Sequence, residues 1–366
     1  MRDTVSKNTK GNRTQEMSMS MNFNLDRNLF ELVVGRPETN LLEDSDLESI
    51  FANSRILIIG AGGSIGSALA KRLIATKLDN IFFLDRDESA LHGLALELSN
   101  VAAAQSENCF VGDIRDRQSI EDVIIQTKPT VVIHAAALKH LVILERFPRE
   151  GFLTNIIGTL NVAELCAKYK VAQFVNISTD KAANPISVLG KTKKLAELIS
   201  EEVFAGAELR QCSVRFGNVF ASRGSVIETF IHQIKNQLPV TISDLEVARF
   251  FMSHNEAANL VLAAASLGKS GTYIQNMGEE ILIKDVVDRI ATYLNIKPSI
   301  QIVGLKNGEK MHEELFDSAV SETKFQSISR SDHPLKRGLV NDVHKINPSN
   351  NEEASEQIEK LVSKYL

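Results

Sequence analysis

The chain is poor in cysteine. Its 366 residues hold three, Cys109, Cys166 and Cys212, far apart and with no CxxC pair. That spacing speaks against a thiol metal ribbon or a dithiol redox centre, and predicts reduced thiols in a cytoplasmic protein. No set of metal ligands is expected. No apolar run reaches the ~18 residues of a membrane span, so none is predicted. The first 20 residues are polar and lack the apolar stretch of a secretory leader. Positive charge is also in deficit. With 41 Lys and Arg against 46 Asp and Glu, the net charge of −5 argues against a nucleic-acid partner. No internal repeat is visible.

What is present is a strand–glycine turn–helix unit. Arg55 to Ile59 is an apolar run, Gly60-Ala61-Gly62-Gly63-Ser64-Ile65-Gly66 follows, and Ile65, Ala68, Leu69 and Leu73 then recur at helical spacing. Glycines in that context let backbone approach a pyrophosphate at a helix N-terminus. Asp85 closes the next strand, 19 residues past Gly66, where a ribose-gripping acid is expected; Arg86 follows it. Further strands are predicted at 109–111, 130–134, 172–177 and 210–215, alternating with helices. The fold class is therefore α/β, a Rossmann doubly wound parallel sheet, with a smaller C-terminal α/β substrate-binding region. The expected organisation is a disordered tail (1–21) and an N-terminal extension (22–53). A dinucleotide-binding domain (54–215) and a mainly substrate-binding region (216–326) follow, some elements of the latter returning to the first domain. A loosely held C-terminal tail (327–366) comes last, with a terminal helix expected over 352–366. Ser253 to Glu256 has the form of a capping box opening a helix that ends near Gly268, and Gly308-Glu309-Lys310 is expected to lead into a last helix.

The centre of the chemistry is predicted after the fifth strand. There Ser178-Thr179-Asp180-Lys181 delivers an acid beside a base, and a helix follows with Lys193 on its early turns. The position four before Lys193 holds Leu189, which has no ionisable group.

Taken together, the glycine turn, Ala135 to His140, Ser178 to Pro185, Val214 to Val219, Ser222 to Val226, Arg249 to Met252 and Gly308 to Lys310 resemble one family. They look like the UDP-N-acetylglucosamine 4,6-dehydratases of capsule, O-antigen and glycosylation pathways, within the extended short-chain dehydrogenase superfamily. The resemblance covers roughly 29–315. Long members carry an N-terminal membrane region, so this chain looks like a soluble short form. The resemblance implies oxidation at C4 of the sugar, loss of water across C5 and C6, and hydride return to C6. It implies Asp180 as acid, Lys181 as base, Thr179 near the C4 oxygen and Lys193 on the nicotinamide ribose. A neutral Lys181 is needed for that role, and burial is expected to provide it. With Leu189 apolar, Asp180 is also the candidate base for the first oxidation. The dinucleotide is assigned to Gly60, Gly63, Ser64, Ile65, Gly66, Asp85, Arg86, Asp113, Ile114, Ala135, Ala136 and Lys193. NAD is expected, with NADP kept open by Arg86. The substrate is assigned to Lys139, Asn218, Arg223, Arg249 and Glu313, the two arginines as diphosphate clamps. A homo-oligomer is expected. The rival readings are a UDP-sugar 4-epimerase of the same fold and a nucleotide-binding sensor without catalysis.

Overall fold

The computed structural model describes residues 23–99, 106–207, 209–317, 319–332 and 334–366; the expected tail at 1–21 lies outside them. Six apolar runs become strands: β1 (Ile56–Ile59), β2 (Ile81–Asp85), β3 (Cys109–Val111), β4 (Val131–His134), β5 (Gln173–Ile177) and β6 (Arg210–Arg215). They pair in parallel in the order β6-β5-β4-β1-β2-β3, and Gly271–Gln275 adds in parallel beyond β6. Ile328–Ser331 and Val320–Glu322 complete the nine-stranded sheet as antiparallel strands. Strand order reverses between β1 and β4, so a crevice opens there beyond the C-terminal strand ends.

Both faces of the sheet are covered, which is why β1 and β5 are buried along their whole length. Helices Ser64–Ile74 and His254–Leu267 pack on one face, so a helix from the C-terminal half does return to the first domain. Its start is the expected capping box, Ser253 with Glu256, and it ends at Gly268 in the left-handed region. Helices Arg117–Thr127, Gly158–Lys168 and Val188–Phe204 cover the other face. A second, smaller core joins Val226–Lys235, Ile283–Leu294 and the short parallel pair Val240–Ile242 and Ile300–Ile302.

Three segments differ from expectation. The N-terminal extension divides between the two cores: Leu29, Phe30 and Val33 enter the smaller one, Leu47 and Phe51 the larger. The C-terminal segment is not loosely held. Helix Asn351–Tyr365 lays Ala354, Ile358, Leu361 and Tyr365 on Val188–Phe204, an apolar stripe at helical spacing hidden among charges. No helix opens at Gly308, and residues 309–317 are irregular. The carbonyls of Lys310 and Met311 are taken sideways by Arg249, and the Ala248 amide also donates to Met311. Those carbonyls are not left for a helical ladder.

A buried ion cluster joins three parts of the chain. Arg215, fully buried at the end of β6, donates to both carboxylate oxygens of Glu197 (2.8 and 2.7 Å) and to Asp317 (2.9 and 3.1 Å). Lys194 donates to Asp317 at 2.6 Å and lies 3.5 Å from Glu197. Two cations and two anions thus join β6, the helix Val188–Phe204 and the segment through Asp317. Arg215→Met strands two buried carboxylates and is expected to cost about 3–5 kcal/mol. A urea midpoint lowered by less than about 0.5 kcal/mol equivalent would show that the cluster does not hold the fold.

Candidate functional site

The site forms where the strand ends meet the loops of the smaller lobe. Gly60 leaves β1 at φ +85°, and a Cβ there would stand 2.6 Å from the Ala136 nitrogen; one on Gly66 would stand 2.1 Å from the Gly60 oxygen. These two glycines let the β4 loop and the helix Ser64–Ile74 close on the turn. Gly63 is the N-cap of that helix and has no side chain to cap it, so its first amides face outward. Asp85 accepts from the Gly62 amide at 2.8 Å and from the Asp87 amide at 2.9 Å, which locks the turn against the end of β2. A cavity of about 170 Å³ lies over this ground, lined by Gly60, Gly63, Asp85, Asp113, Ile114 and Ala136 among others. Arg86 and Ala135 line it too. The Arg86 guanidinium lies 3.9 Å from the Asp113 carboxylate, which Arg115 also grips at 2.6 Å.

A second cavity of about 630 Å³ continues from the first, and the two share Gly63, Arg86, Ala135, Ala137, Leu138 and Arg223. Ser64, Ile65, Lys139, Thr179, Lys181, Leu189, Lys193 and Asn218 line the larger one. The expected dinucleotide and substrate residues are therefore gathered along one cleft, with exceptions.

Asp180 does not line the cleft. It is 0% exposed, beneath Thr179 and Lys181, which donate to its Oδ1 at 2.9 and 3.0 Å. Its Oδ2 is buried without a partner. Lys181 also faces Glu313 at 3.4 Å and the Asn218 side-chain oxygen at 3.5 Å. Burial works against the Lys181 charge, but Asp180 and Glu313 outweigh it and hold its pKa above the ordinary lysine value. The expectation that burial leaves Lys181 neutral is thus reversed by its two carboxylates.

Lys193 is the opposite case. It is buried in the cleft wall, and desolvation lowers its pKa to about 8 against the pull of Glu197. His134, fully buried at the end of β4, is lowered to about 3 by burial and by Lys193. Lys139 donates weakly to Ser222 at 3.5 Å, and burial lowers its pKa.

The two arginines separate. Arg223, with its side chain 67% exposed, donates to the Gly62 carbonyl at 2.8 Å while its amide donates to Ser64, so it bridges the glycine turn. Arg249 is buried outside both cavities. Its guanidinium is spent on the carbonyls of Ala248, Lys310 and Met311 and on Glu309 at 3.3 Å. It straps the segment after Gly308 and does not clamp a diphosphate in this arrangement. Sequence reasoning missed this because the partners lie some sixty residues apart. It also missed Ser222 and His140 on the cleft wall, although both stood inside quoted motifs.

Residues 56–332 match a family described as polysaccharide biosynthesis protein. The chain belongs to that family. The chain is 34% identical over 312 residues to the capsular polysaccharide biosynthesis protein CapD of Staphylococcus aureus. The match takes in 79% of this chain and 52% of CapD, so the chain spans about half the length of that relative. It is 34% identical over 279 residues to the UDP-glucose 4-epimerase of Rickettsia canadensis, covering 74% of this chain and 79% of the epimerase. Among solved structures, Pen from Bacillus thuringiensis matches with a TM-score of 0.66 and 34% identity over 72% of this chain and 83% of Pen. The chain also has the fold of a solved UDP-glucose 4-epimerase from Thermus thermophilus (TM-score 0.64, 24% identity, 72% of this chain and 90% of that one) and of the dTDP-glucose 4,6-dehydratase DesIV from Streptomyces venezuelae (TM-score 0.65, 18% identity, 79% and 96%). Among the described residues of this chain no helix is long and apolar enough to cross a membrane.

The low pKa of Lys193 has a measurable sign. Its folded value of about 8 lies below the ~10.4 of an unfolded lysine, so between these values the unfolded chain binds more protons and stability rises with pH. The difference in unfolding free energy between the natural protein and Lys193→Met should shrink as pH rises through that window. A difference independent of pH would show that Lys193 is not buried as described.

Proposed function

We propose that the protein is a nucleotide-sugar 4,6-dehydratase that converts UDP-N-acetylglucosamine to the 4-keto-6-deoxy sugar with bound NAD. The observation that carries this reading is the Thr179-Asp180-Lys181 cluster at the end of β5, opening on a cleft that has Lys193 and the apolar Leu189 in its wall. An epimerase needs no such acid–base pair beside the sugar.

The first cavity suits a dinucleotide. The uncapped amides after Gly63 favour a pyrophosphate, and Asp85 offers a carboxylate to an adenosine ribose. Asp85 repels a 2′-phosphate, which favours NAD over NADP although Arg86 stands beside it. When bound, the nicotinamide supplies the hydride acceptor and donor. Lys193 in the cleft wall would hold the nicotinamide ribose and, when charged, favour an alkoxide at C4. Thr179 hydrogen-bonds the C4 hydroxyl. As hydride leaves C4, Asp180 takes the C4 hydroxyl proton through the Thr179 hydroxyl; Lys181 removes the C5 proton, and Asp180 returns its proton by the same path to the C6 oxygen, which leaves as water. The catalytic residues are Thr179, Asp180, Lys181 and Lys193. Lys139, Asn218 and Arg223, which line the same cleft, hold the UDP-sugar. A homo-oligomer in the cytoplasm completes the reading.

The likeness to the Rickettsia epimerase favours a second reading, a UDP-sugar 4-epimerase. Incubation with UDP-N-acetylglucosamine separates them. Loss of one water from the product mass is expected. A stereoisomer of unchanged mass means epimerase, and no turnover sinks both. Asp180→Asn should leave UDP affinity unchanged and cut water loss by ~10²–10⁴.

A further inference from the structure

We propose that Glu313 is the proton partner of Lys181: it takes the ammonium proton so that the amine can act as the base at C5. The inference rests on the dehydratase reading and deepens it.

The geometry is specific. Glu313 belongs to the segment strapped by Arg249, and its Oε1 lies 3.4 Å from Lys181 Nζ. Its Oε2 is buried without a partner and is free to carry a proton. It does not line the cleft, so it acts through Lys181 and is a positioning residue. Its amide donates to Glu280 at 2.9 Å, and Lys310 donates to the Ala183 carbonyl at 3.2 Å, which fixes the segment over the Asp180–Lys181 turn. The charged groups facing the pair are Asp180 on the same turn as Lys181, Arg249 at 3.9 Å from Glu313, and Glu280 behind the Glu313 amide.

Lys181 is held charged, so it needs a nearby acceptor before it can take a proton from carbon. Asp180 is the nearer carboxylate, but it serves the C6 oxygen through Thr179. Glu313 has no such duty. Burial raises its pKa; Lys181 and Arg249 pull it down, Asp180 pushes it up, and the balance is upward. The step balances: one proton moves from the Lys181 ammonium to the Glu313 carboxylate, leaving an amine and a neutral acid. The amine then takes the C5 proton and becomes ammonium again.

The test is the pH profile of kcat. When one proton is shared, the competent arrangement exists across neutral pH, and the natural enzyme should show a plateau there. Glu313→Gln has no site for that proton. It should lose ~10²-fold or more of kcat near neutrality, with KM unchanged, and regain activity about tenfold per pH unit on the alkaline side. Glu313→Asp should keep the plateau. A merely structural role gives a loss that does not depend on pH, and overturns the proposal. So does a natural profile that itself climbs tenfold per unit through neutrality, a result that needs no variant. A readout without turnover keeps this separate from the reaction assigned. Infrared titration should show a buried carboxylic acid band that persists above the ordinary carboxylate range and is missing in Glu313→Gln. Its absence from the natural protein overturns the proposal even if water is released. Its presence supports the partnership even if the product proves to be an epimer.

Discussion

The structure depends on keeping a buried guanidinium neutralised. Arg215 sits at the end of β6 with no solvent, and only paired, well-aligned carboxylates make that tolerable. Its two partners come from different places: Glu197 from the helix that also carries Leu189 and Lys193, and Asp317 from the segment that carries Glu313. One ion cluster therefore sets the distance between β6, that helix and that segment. Glu197 is held at a pKa of about 2, since Arg215 and Lys194 overcome the cost of its burial. The cluster stays ionised across the working range of an enzyme.

A second cluster, nearer the cleft, uses the same materials differently. Lys181 meets Asp180 and Glu313, and each of these carboxylates keeps one buried oxygen unpartnered. In the Arg215 cluster the bidentate contacts fill both Glu197 oxygens. An unfilled, desolvated oxygen is costly in a structural ion pair. Beside a cleft it is a place for a proton to arrive. Lys193, whose burial outweighs the pull of Glu197, is lowered to about 8, whereas Lys181 is kept charged. Two lysines twelve residues apart thus have separate electrostatic duties.

The sheet was readable because its physics is local. β1 to β4 are short apolar runs bounded by glycine, charge or turn residues, and each of the six strands lies within a residue of its expected ends. The glycine turn was readable because close backbone approach demands glycine at 60 and 66. What could not be read depends on distant partners. The helix Asn351–Tyr365 was legible, but its docking was not until Val188–Phe204 supplied the surface for its four apolar residues. Arg249 looks like a phosphate ligand until three carbonyls take its donors. Lys181 looks like a base neutralised by burial until Glu313 arrives from 132 positions away. In each case composition was right about residue type, and the chain's return path decided the role.

The central claim is that oxidation at C4 is coupled to elimination within one cleft. Substrate carrying deuterium at C4 tests it directly. If the protein is a dehydratase of the kind proposed, the label reappears on C6 of a 4-keto product that has lost water. Label returned to C4 of an epimer would contradict the account.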